Sequence, residues 1–395
     1  MGRVKELLME MEEHGYEILT KGEKYVCPHH FEDKYLNQYI ETYGETGVCS
    51  YCGRKGTVFD MSDLANHIAM TISINFNDID SEYLPLSSSF FDDEEEQIPG
   101  IKQVGCYAVP ESTDVYEDTF EMMEELGLHT DCDSLNDDID HLFEDKTWIK
   151  KDPFELWWNQ KKELQWQCFS DMVKHSRRFT FLAMSRVASN DDILEDLCGI
   201  LRNMDGILHP IPIGTTLYRT RSLDKEPNDS FGFTDITSAP DKYAGQCRMS
   251  PAGVSMFYGA FDMDTAVAES IKMANEKALV IGEFKTTREL TVVDLIPLPR
   301  EVSIWMDKWE AVSFLKSFHK DITRPLMNNA KEAIEYIPSQ IFTEYLRWMF
   351  TDKQGRNIDG LMYRSCKTQK ANVVLFCNNE NSHKWLKLEN LSTRK

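Results

Sequence analysis

Five polar side chains in the C-terminal half have types that suit the binding and cleavage of an anionic ligand: Arg219, Arg248, Tyr258, Glu269 and Ser365. Arginine grips anionic groups through planar, charge-assisted hydrogen bonds. A carboxylate stabilises positive charge as it develops in a transition state, and glutamate normally carries its charge at neutral pH. Tyrosine adds an aromatic face and serine a hydrogen-bonding hydroxyl.

Short rigid elements are predicted to position these groups. Pro251–Gly253 reads as a turn, Val254–Ala260 as a half-buried strand, and Asp262 or Asp264 can cap the helix that holds Glu269. Thr216–Arg221 reads as a strand that carries Arg219. Arg221 lies two residues further on the same face and could serve in its place.

Strands and helices alternate through the rest of this half, which predicts an α/β or α+β domain over residues 207–395. The further expected strands are Leu279–Lys285, Leu290–Leu295, Leu361–Ser365 and Asn372–Cys377, and the expected helices are Trp305–His319 and Ser339–Phe350.

Residues 1–59 contain two Cys/His pairs with the two-residue gap of a zinc knuckle. Cys27, His30, Cys49 and Cys52 are the predicted ligands of a structural Zn²⁺, with His29 as the alternative imidazole. Four protein ligands would close the coordination sphere, so the site would stabilise rather than catalyse. Unpaired reduced thiols are the alternative.

Residues 60–206 are predicted to form a mainly helical domain, preceded by an amphipathic helix over residues 1–24. Met61–Ile72, Asp118–Gly127 and Asp191–Arg202 are expected helices, and the tryptophans around residues 157–166 read as core. Arg202 and His209 have the Arg-x6-His spacing of helical ribonucleases, but Gly206 and Pro210 should break a helix that would hold them together.

Composition and charge restrict the class of protein. The formal net charge of −23 argues against a general nucleic-acid surface, and we expect no nucleic-acid partner. The acidic run Asp92–Glu96 reads as a solvated loop, or alternatively as a docking surface for a basic partner. With no signal peptide, no membrane-length apolar run and scattered cysteines, we expect a cytoplasmic protein with no membrane partner.

The order of the C-terminal motifs resembles the RES-domain family, which is named for Arg, Glu and Ser. The resemblance rests on Leu-Tyr-Arg219, Arg248, Tyr258, Ala-Val-Ala-Glu269 and Asp-Gly-Leu-Met-Tyr-Arg-Ser365, followed by Asn-Val-Val-Leu-Phe. The preceding region resembles the helical, HEPN-related N-terminal domain that accompanies some RES domains. Two short segments depart from the family's usual pattern, Met249-Ser250 and Arg364.

The resemblance implies an ADP-ribosyltransferase-like fold and NAD⁺ as the substrate. Arg219 and Arg248 would bind the pyrophosphate, and Glu269 would stabilise the positive ribose as nicotinamide leaves. Tyr258 would contact nicotinamide or ribose, and Ser365 would hydrogen-bond the carboxamide or a ribose hydroxyl.

The leading hypothesis from the sequence is therefore a toxin-like enzyme that degrades NAD⁺ by transferring ADP-ribose to water, phosphate or a protein. The family implies a toxin-antitoxin or phage-defence setting, with an antitoxin or a phage-derived trigger as partner; a homo-oligomer is a further expectation. The alternatives are a zinc-stabilised sensor or binding protein with an inactive cleft, and a HEPN-type ribonuclease that uses His209.

Overall fold

A computed structural model of the chain describes ten stretches of the 395 residues, which form two compact units. The first unit comprises Met1–Trp158 with Arg300–Glu310, and the second Asn159–Pro299 with Ala311–Lys395. The described residues are 21–79, 101–104, 107–128, 130–140, 146–180, 193–224, 226–228, 230–270, 278–325 and 332–394. Most of the helix predicted over residues 1–24 and all of the acidic run Asp92–Glu96 lie outside them.

The first unit combines helices with short strands. Its helices are α1 (Lys34–Tyr43), α2 (Met61–Asn75), α3 (Thr119–Glu125) and α4 (Asp133–Asp140). Its strands are β1 (Tyr25–Val26), β2 (Glu45–Val48), β3 (Lys55–Asp60), β4 (Phe76–Asp78), β5 (Ile101–Val104), β6 (Tyr107–Pro110), β7 (Val115–Tyr116) and β8 (Trp148–Lys150). They form sheets in the orders β1-β3-β2, β4-β8-β7 and β5-β6.

Side-chain caps explain where the helices of this unit begin. The Asp60 carboxylate accepts hydrogen bonds from the Ser62 and Asp63 amides at the start of α2, and Asp118 accepts one from the Glu121 amide at the start of α3. The helices predicted at Met61 and after Asp118 are therefore confirmed.

The expectation of a mainly helical region is met only in part, because short strands accompany these helices. Strands of two to four residues, such as β4, β7 and β8, are too short to show a period-two pattern in the sequence. Mixed helix and sheet content, α+β, is what the structure shows.

The second unit is built on an eight-stranded sheet in the order β16-β12-β10-β11-β15-β14-β13-β9. All neighbouring strands pair antiparallel except β13 and β14, which pair parallel. Its strands are β9 (Leu208–Ile211), β10 (Thr216–Leu223), β11 (Phe257–Ala260), β12 (Ala278–Thr286), β13 (Leu290–Asp294), β14 (Gly360–Arg364), β15 (Ala371–Leu375) and β16 (Leu386–Arg394).

Helices accompany this sheet along the chain: α5 (Trp158–His175), α6 (Ile193–Asn203), α7 (Phe233–Ile236), α8 (Met263–Ser270), α9 (Trp309–Thr323), α10 (Glu332–Glu335) and α11 (Ile337–Trp348). Buried side chains of the strands, including Leu217, Phe257, Phe284 and Val373, form the core of the sheet. Burial of these apolar groups stabilises the unit.

The predicted elements of the C-terminal half are confirmed, with shifted ends. The helix predicted over Trp305–His319 begins and ends later in the chain than predicted, because α9 spans Trp309–Thr323. Trp305 instead packs in the core of the first unit, where its indole N–H donates to the Leu126 carbonyl. Trp166 is buried, as predicted for a core aromatic, whereas Trp157 and Trp158 are only half-buried. Within the described part of the chain, no helix is both long and apolar enough to cross a bilayer.

Candidate active site

Four of the five predicted site residues line one cavity of about 740 Å³ in the second unit: Arg219, Arg248, Tyr258 and Glu269. This cavity, called the active-site cavity below, lies at strands β10 and β11 and helix α8. Its size is typical of sites for small ligands and cofactors. The structure thus brings together groups that are up to 50 positions apart in the sequence.

Arg219 is fixed by the pairing of its strand with β11. Its Nη1 donates to the Tyr258 carbonyl at 2.8 Å, and the guanidinium lies 5.5 Å from the centre of the Phe257 ring. Burial lowers the pKa of Arg219, yet arginine remains charged at any ordinary pH. The alternative, Arg221, is exposed, donates to the Asp235 carbonyl and is not among the described residues that line the cavity.

Arg248 is held in the turn that precedes β11. Its Nη1 donates to the Ile322 carbonyl at 3.1 Å, and its guanidinium lies 4.7 Å from the centre of the Tyr336 ring. Ser339 Oγ donates to the Arg248 carbonyl at 2.7 Å. Backbone and side chain are both fixed, which prepares the cation to receive an anion.

The two residues after Arg248 have distinct structural roles. Met249 is fully buried and its sulfur accepts a hydrogen bond from Thr343 Oγ1 at 3.4 Å. Ser250 is 2% exposed, and its hydroxyl lies 2.8 Å from the hydroxyl of Tyr258. The unusual Met249-Ser250 segment thus anchors the turn in the core and positions Tyr258.

Glu269 is positioned by two buried neighbours. Its Oε1 accepts hydrogen bonds from Ser365 Oγ at 2.5 Å and from Asn372 Nδ2 at 2.9 Å. Helix α8, which carries Glu269, begins where Asp262 accepts a hydrogen bond from the Thr265 amide. Hydrogen bonds to an ionised carboxylate are stronger than those between neutral groups, so the carboxylate is tightly oriented.

Ser365 itself lies behind Glu269. It is fully buried and is not among the described residues that line the cavity. Its Oγ accepts hydrogen bonds from the Lys367 and Thr368 amides and donates one to Glu269 Oε1. The structure therefore shows Ser365 as a residue that orients Glu269, and its predicted contact with substrate remains a prediction.

Sequence reasoning missed Asn372 as a partner of Glu269 and Tyr363 as part of the cavity wall. Burial and the charge of Glu269 raise the pKa of Tyr363, so its hydroxyl stays protonated. The stretch that begins at Asn372 was predicted only as a strand, and the Asn372 side chain was given no role in the site. Only the pairing of Tyr363 with Asn372 across β14 and β15 shows the two together.

The charge of the active-site cavity is opposite to that of the chain. Among the described residues that line it are four cations, Arg219, Arg248, Arg364 and Lys367, and one carboxylate, Glu269. In a chain of net charge −23, this concentration of cations favours an anionic ligand, and walls of low dielectric strengthen the attraction.

The predicted metal ligands meet in the first unit. One ligand atom from each of Cys27, His30, Cys49 and Cys52 lies within 4.8 Å of the others. The Cys27 and Cys52 sulfurs are 3.6 Å apart, and Cys49 Sγ lies 3.4 Å from His30 Nε2. Zn–S and Zn–N bonds of about 2.3 and 2.0 Å in a tetrahedron give edges of about 3.5–3.8 Å. These two distances are close to such edges, and thiolates and an imidazole are usual zinc ligands, so the donor set suits a zinc ion.

The ribonuclease pair is not arranged as a helical catalytic motif. Arg202 lies in the last turn of helix α6, donates to the Thr351 carbonyl at 3.0 Å and lies over the Phe350 ring. His209 is an exposed residue of strand β9, paired with Val292 of β13. The helix break expected between them is therefore observed.

Comparisons with known proteins match two family models. The model described as HEPN/RES N-terminal domain 1 matches residues 42–187, and the model of the RES domain matches residues 216–387. A search of curated proteins finds no match.

Among solved structures, a chain of the M. tuberculosis MbcT-MbcA toxin-antitoxin complex matches with 13% identity. The match covers 51% of this chain and 92% of that chain, with a TM-score of 0.30. A superposition at this level does not establish a shared fold.

Proposed function

Since this chain belongs to the RES-domain family and carries a HEPN/RES N-terminal domain 1 ahead of its RES domain, we propose that it is an enzyme that degrades NAD⁺. The reaction is cleavage of the bond between nicotinamide and ribose. The observation that carries the proposal is a carboxylate, Glu269, held by two buried donors in a cavity whose other charged groups, among the residues that the structure describes, are all cations.

The arginines account for binding. NAD⁺ has an anionic pyrophosphate, and Arg219 and Arg248 are both fixed through backbone carbonyls before a ligand arrives. A cation that is already in place loses little conformational entropy on binding. Guanidinium groups also suit the oxygens of a phosphate better than a lysine does.

Glu269 accounts for bond cleavage. The leaving nicotinamide becomes neutral, and the ribose it leaves acquires positive charge. A fixed carboxylate stabilises that charge without having to reorganise. Since Ser365 and Asn372 both bind Oε1, Oε2 is the oxygen available to the ribose.

The acceptor of ADP-ribose would be water, phosphate or a protein. Product analysis distinguishes them, because the three acceptors yield free ADP-ribose, ADP-ribose 1″-phosphate and a modified protein.

We further propose an ADP-ribosyltransferase-like fold for the second unit, and three domains along the chain, residues 1–59, 60–206 and 207–395. The family assignment supports the fold proposal.

A structural Zn²⁺ is the second part of the proposal. Cys27, His30, Cys49 and Cys52 would hold it, and the ion would supply a cross-link that stabilises the knuckles around it. Gly53 supports this local fold: its φ of +70° favours glycine, and its amide donates to the Cys49 carbonyl.

A toxin role follows from NAD⁺ loss, since a cell without NAD⁺ stops growing. We propose that an antitoxin or a phage-derived trigger controls the enzyme. Expression of the wild type in bacteria should lower cellular NAD⁺ and arrest growth. Expression of Glu269→Gln should leave both the NAD⁺ level and growth normal. Arrest that persists with Glu269→Gln would contradict this role.

Incubating purified protein with NAD⁺ and following free nicotinamide tests the activity. Wild type should release nicotinamide, and Glu269→Gln should lower kcat by about 10²–10³-fold, the usual loss when a group that stabilises transition-state charge is removed. Asp264→Asn is the matched control, because Asp264 is exposed on the same helix. No release by the wild type would favour the inactive binding protein instead, and equal release by wild type and Glu269→Gln would contradict the role proposed for Glu269.

A further inference from the structure

Tyr363 lines the active-site cavity, and the proposed function assigns it no role. It lies on β14 directly opposite Asn372 of β15, so the two side chains share one face of the sheet, with Cβ atoms about 5 Å apart. The Asn372 amide in turn donates to Glu269 Oε1 at 2.9 Å. The pairing of these two strands therefore places the Tyr363 ring beside the carboxylate that is proposed to act in cleavage.

The Tyr363 ring also lies near a cation that is proposed to bind the pyrophosphate. Burial raises the pKa of Tyr363, the charge of Glu269 raises it further, and the charge of Arg248 lowers it. Charges shift a pKa in this way only from short distances. All three side chains line the same cavity, so the phenol has the carboxylate and the guanidinium as neighbours.

The hydroxyl of Tyr363 is open to a ligand. Within the described part of the chain no residue hydrogen-bonds it, yet it is not among the buried polar atoms that lack a partner. Since Tyr363 is half-buried, its hydroxyl therefore keeps accessible surface. The hydroxyl of Tyr258 differs, because it lies 2.8 Å from the Ser250 hydroxyl.

The nicotinamide ribose is the part of NAD⁺ that would lie between Arg248 and Glu269. It joins the pyrophosphate, which Arg248 would hold, to the scissile bond, beside which Glu269 would act. This ribose carries two hydroxyl groups. A neutral phenol has one donor and an acceptor, so it can hydrogen-bond either of them.

We propose that the Tyr363 hydroxyl hydrogen-bonds a hydroxyl of the nicotinamide ribose and so selects ligands with an intact ribose at this position. This inference rests on the proposed function, which places the ribose between Arg248 and Glu269. Tyr363 thus recognises the substrate itself, whereas Ser365 and Asn372 orient Glu269.

Tyr363→Phe is the variant that tests the inference. It removes the hydroxyl and keeps the ring, and no polar group among the described residues loses a partner. Tyr243→Phe is the matched control, because Tyr243 is 68% exposed and is not among the described residues that line the cavity.

Nicotinamide release from NAD⁺ and from two analogues, each lacking one hydroxyl of the nicotinamide ribose, identifies the contact. Tyr363→Phe should lower kcat/KM for NAD⁺ by about 3- to 10-fold, the usual effect of one neutral hydrogen bond. The loss should disappear with the analogue that lacks the contacted hydroxyl, because both changes remove the same interaction. A full loss with both analogues, or no loss with NAD⁺, would overturn the inference.

A binding measurement separates this inference from the proposed function. ADP-ribose is ADP extended by the same ribose, and isothermal titration calorimetry with these two ligands needs no catalysis. Tyr363→Phe should bind ADP-ribose about 3- to 10-fold more weakly than the wild type and bind ADP equally well, and Tyr243→Phe should match the wild type with both.

That pattern would support the inference even if the wild type cleaved no NAD⁺. Unchanged binding of ADP-ribose by Tyr363→Phe, an equal loss with both ligands, or no binding of ADP-ribose to the wild type would refute it.

Discussion

Replacing Asn372 by leucine isolates the orientation of Glu269. The Asn372 side chain is 4% exposed and donates to Glu269 Oε1 at 2.9 Å. Leucine has a similar volume, so Asn372→Leu removes the hydrogen bond with little change in packing. Ser365 is a poorer choice for substitution, because its hydroxyl also accepts hydrogen bonds from two backbone amides. Losing those hydrogen bonds would destabilise the turn.

The expected magnitude follows from the type of hydrogen bond. A hydrogen bond to a charged group contributes about 1.5–3 kcal/mol. If this contribution is fully expressed in the transition state, kcat/KM falls by about 10- to 150-fold at 1.4 kcal/mol per decade. Ser365 still binds the same oxygen, so we expect the lower part of this range.

A double-mutant cycle with Glu269→Gln supplies the decisive assay. Nicotinamide release should fall in each single variant, and Asn372→Leu should cost much less once Glu269 has been replaced, because both changes act through one group. Asn390→Leu, the same change at an exposed position of β16, controls for the substitution. Activity within twofold of wild type in Asn372→Leu, or a loss of equal size in the Glu269→Gln background, would refute the reasoning.

Three further predictions concern stability. Gly360→Ala should destabilise the protein by about 1–3 kcal/mol, because a Cβ there would lie 2.3 Å from the Val374 carbonyl oxygen. Gly199 lies in a helix and has open space around the position of a Cβ, so Gly199→Ala should stabilise the protein by about 0.5–1 kcal/mol. Urea unfolding measures both changes. Burial lowers the pKa of His319 to about 4, whereas a histidine in the unfolded chain has a pKa of about 6.5. Between these pH values the unfolded chain binds a proton that the folded chain does not. The free energy of unfolding should therefore fall by about 3 kcal/mol as the pH falls from about 6.5 to 4. The fall should be smaller in His319→Gln; identical pH profiles would contradict this assignment. Metal analysis should find one zinc per chain, lost in Cys49→Ser and kept in Cys168→Ser, which changes an exposed cysteine outside the cluster; chelation should lower the thermal midpoint of the wild type.

The site could be predicted from the sequence where rigid local elements carry each group. The strand at Thr216, the capped helix that bears Glu269 and the knuckle spacing of Cys27 to Cys52 are all local patterns, and the structure brings each set together. The family resemblance predicted that Arg219 belongs to the same site as residues far along the chain, which hydrophobic periodicity alone could not predict.

The missed features depend on contacts between distant segments. Asn372 reaches Glu269 because β15 lies beside β11 in the sheet, and no local pattern encodes that pairing. Most strands of the first unit could not be predicted because two to four residues do not establish a period; β3, with six residues, is the exception.

The most direct test of the account is the amount of nicotinamide released per NAD⁺ consumed, measured by proton NMR on one sample of the purified wild type. The account predicts one nicotinamide for each NAD⁺ lost, with product formed about 10²–10³-fold more slowly by Glu269→Gln and at the wild-type rate by Asp264→Asn. NAD⁺ that stays intact with the wild type, or nicotinamide release that is unchanged in Glu269→Gln, would contradict the claim that this carboxylate and its cationic cavity cleave NAD⁺.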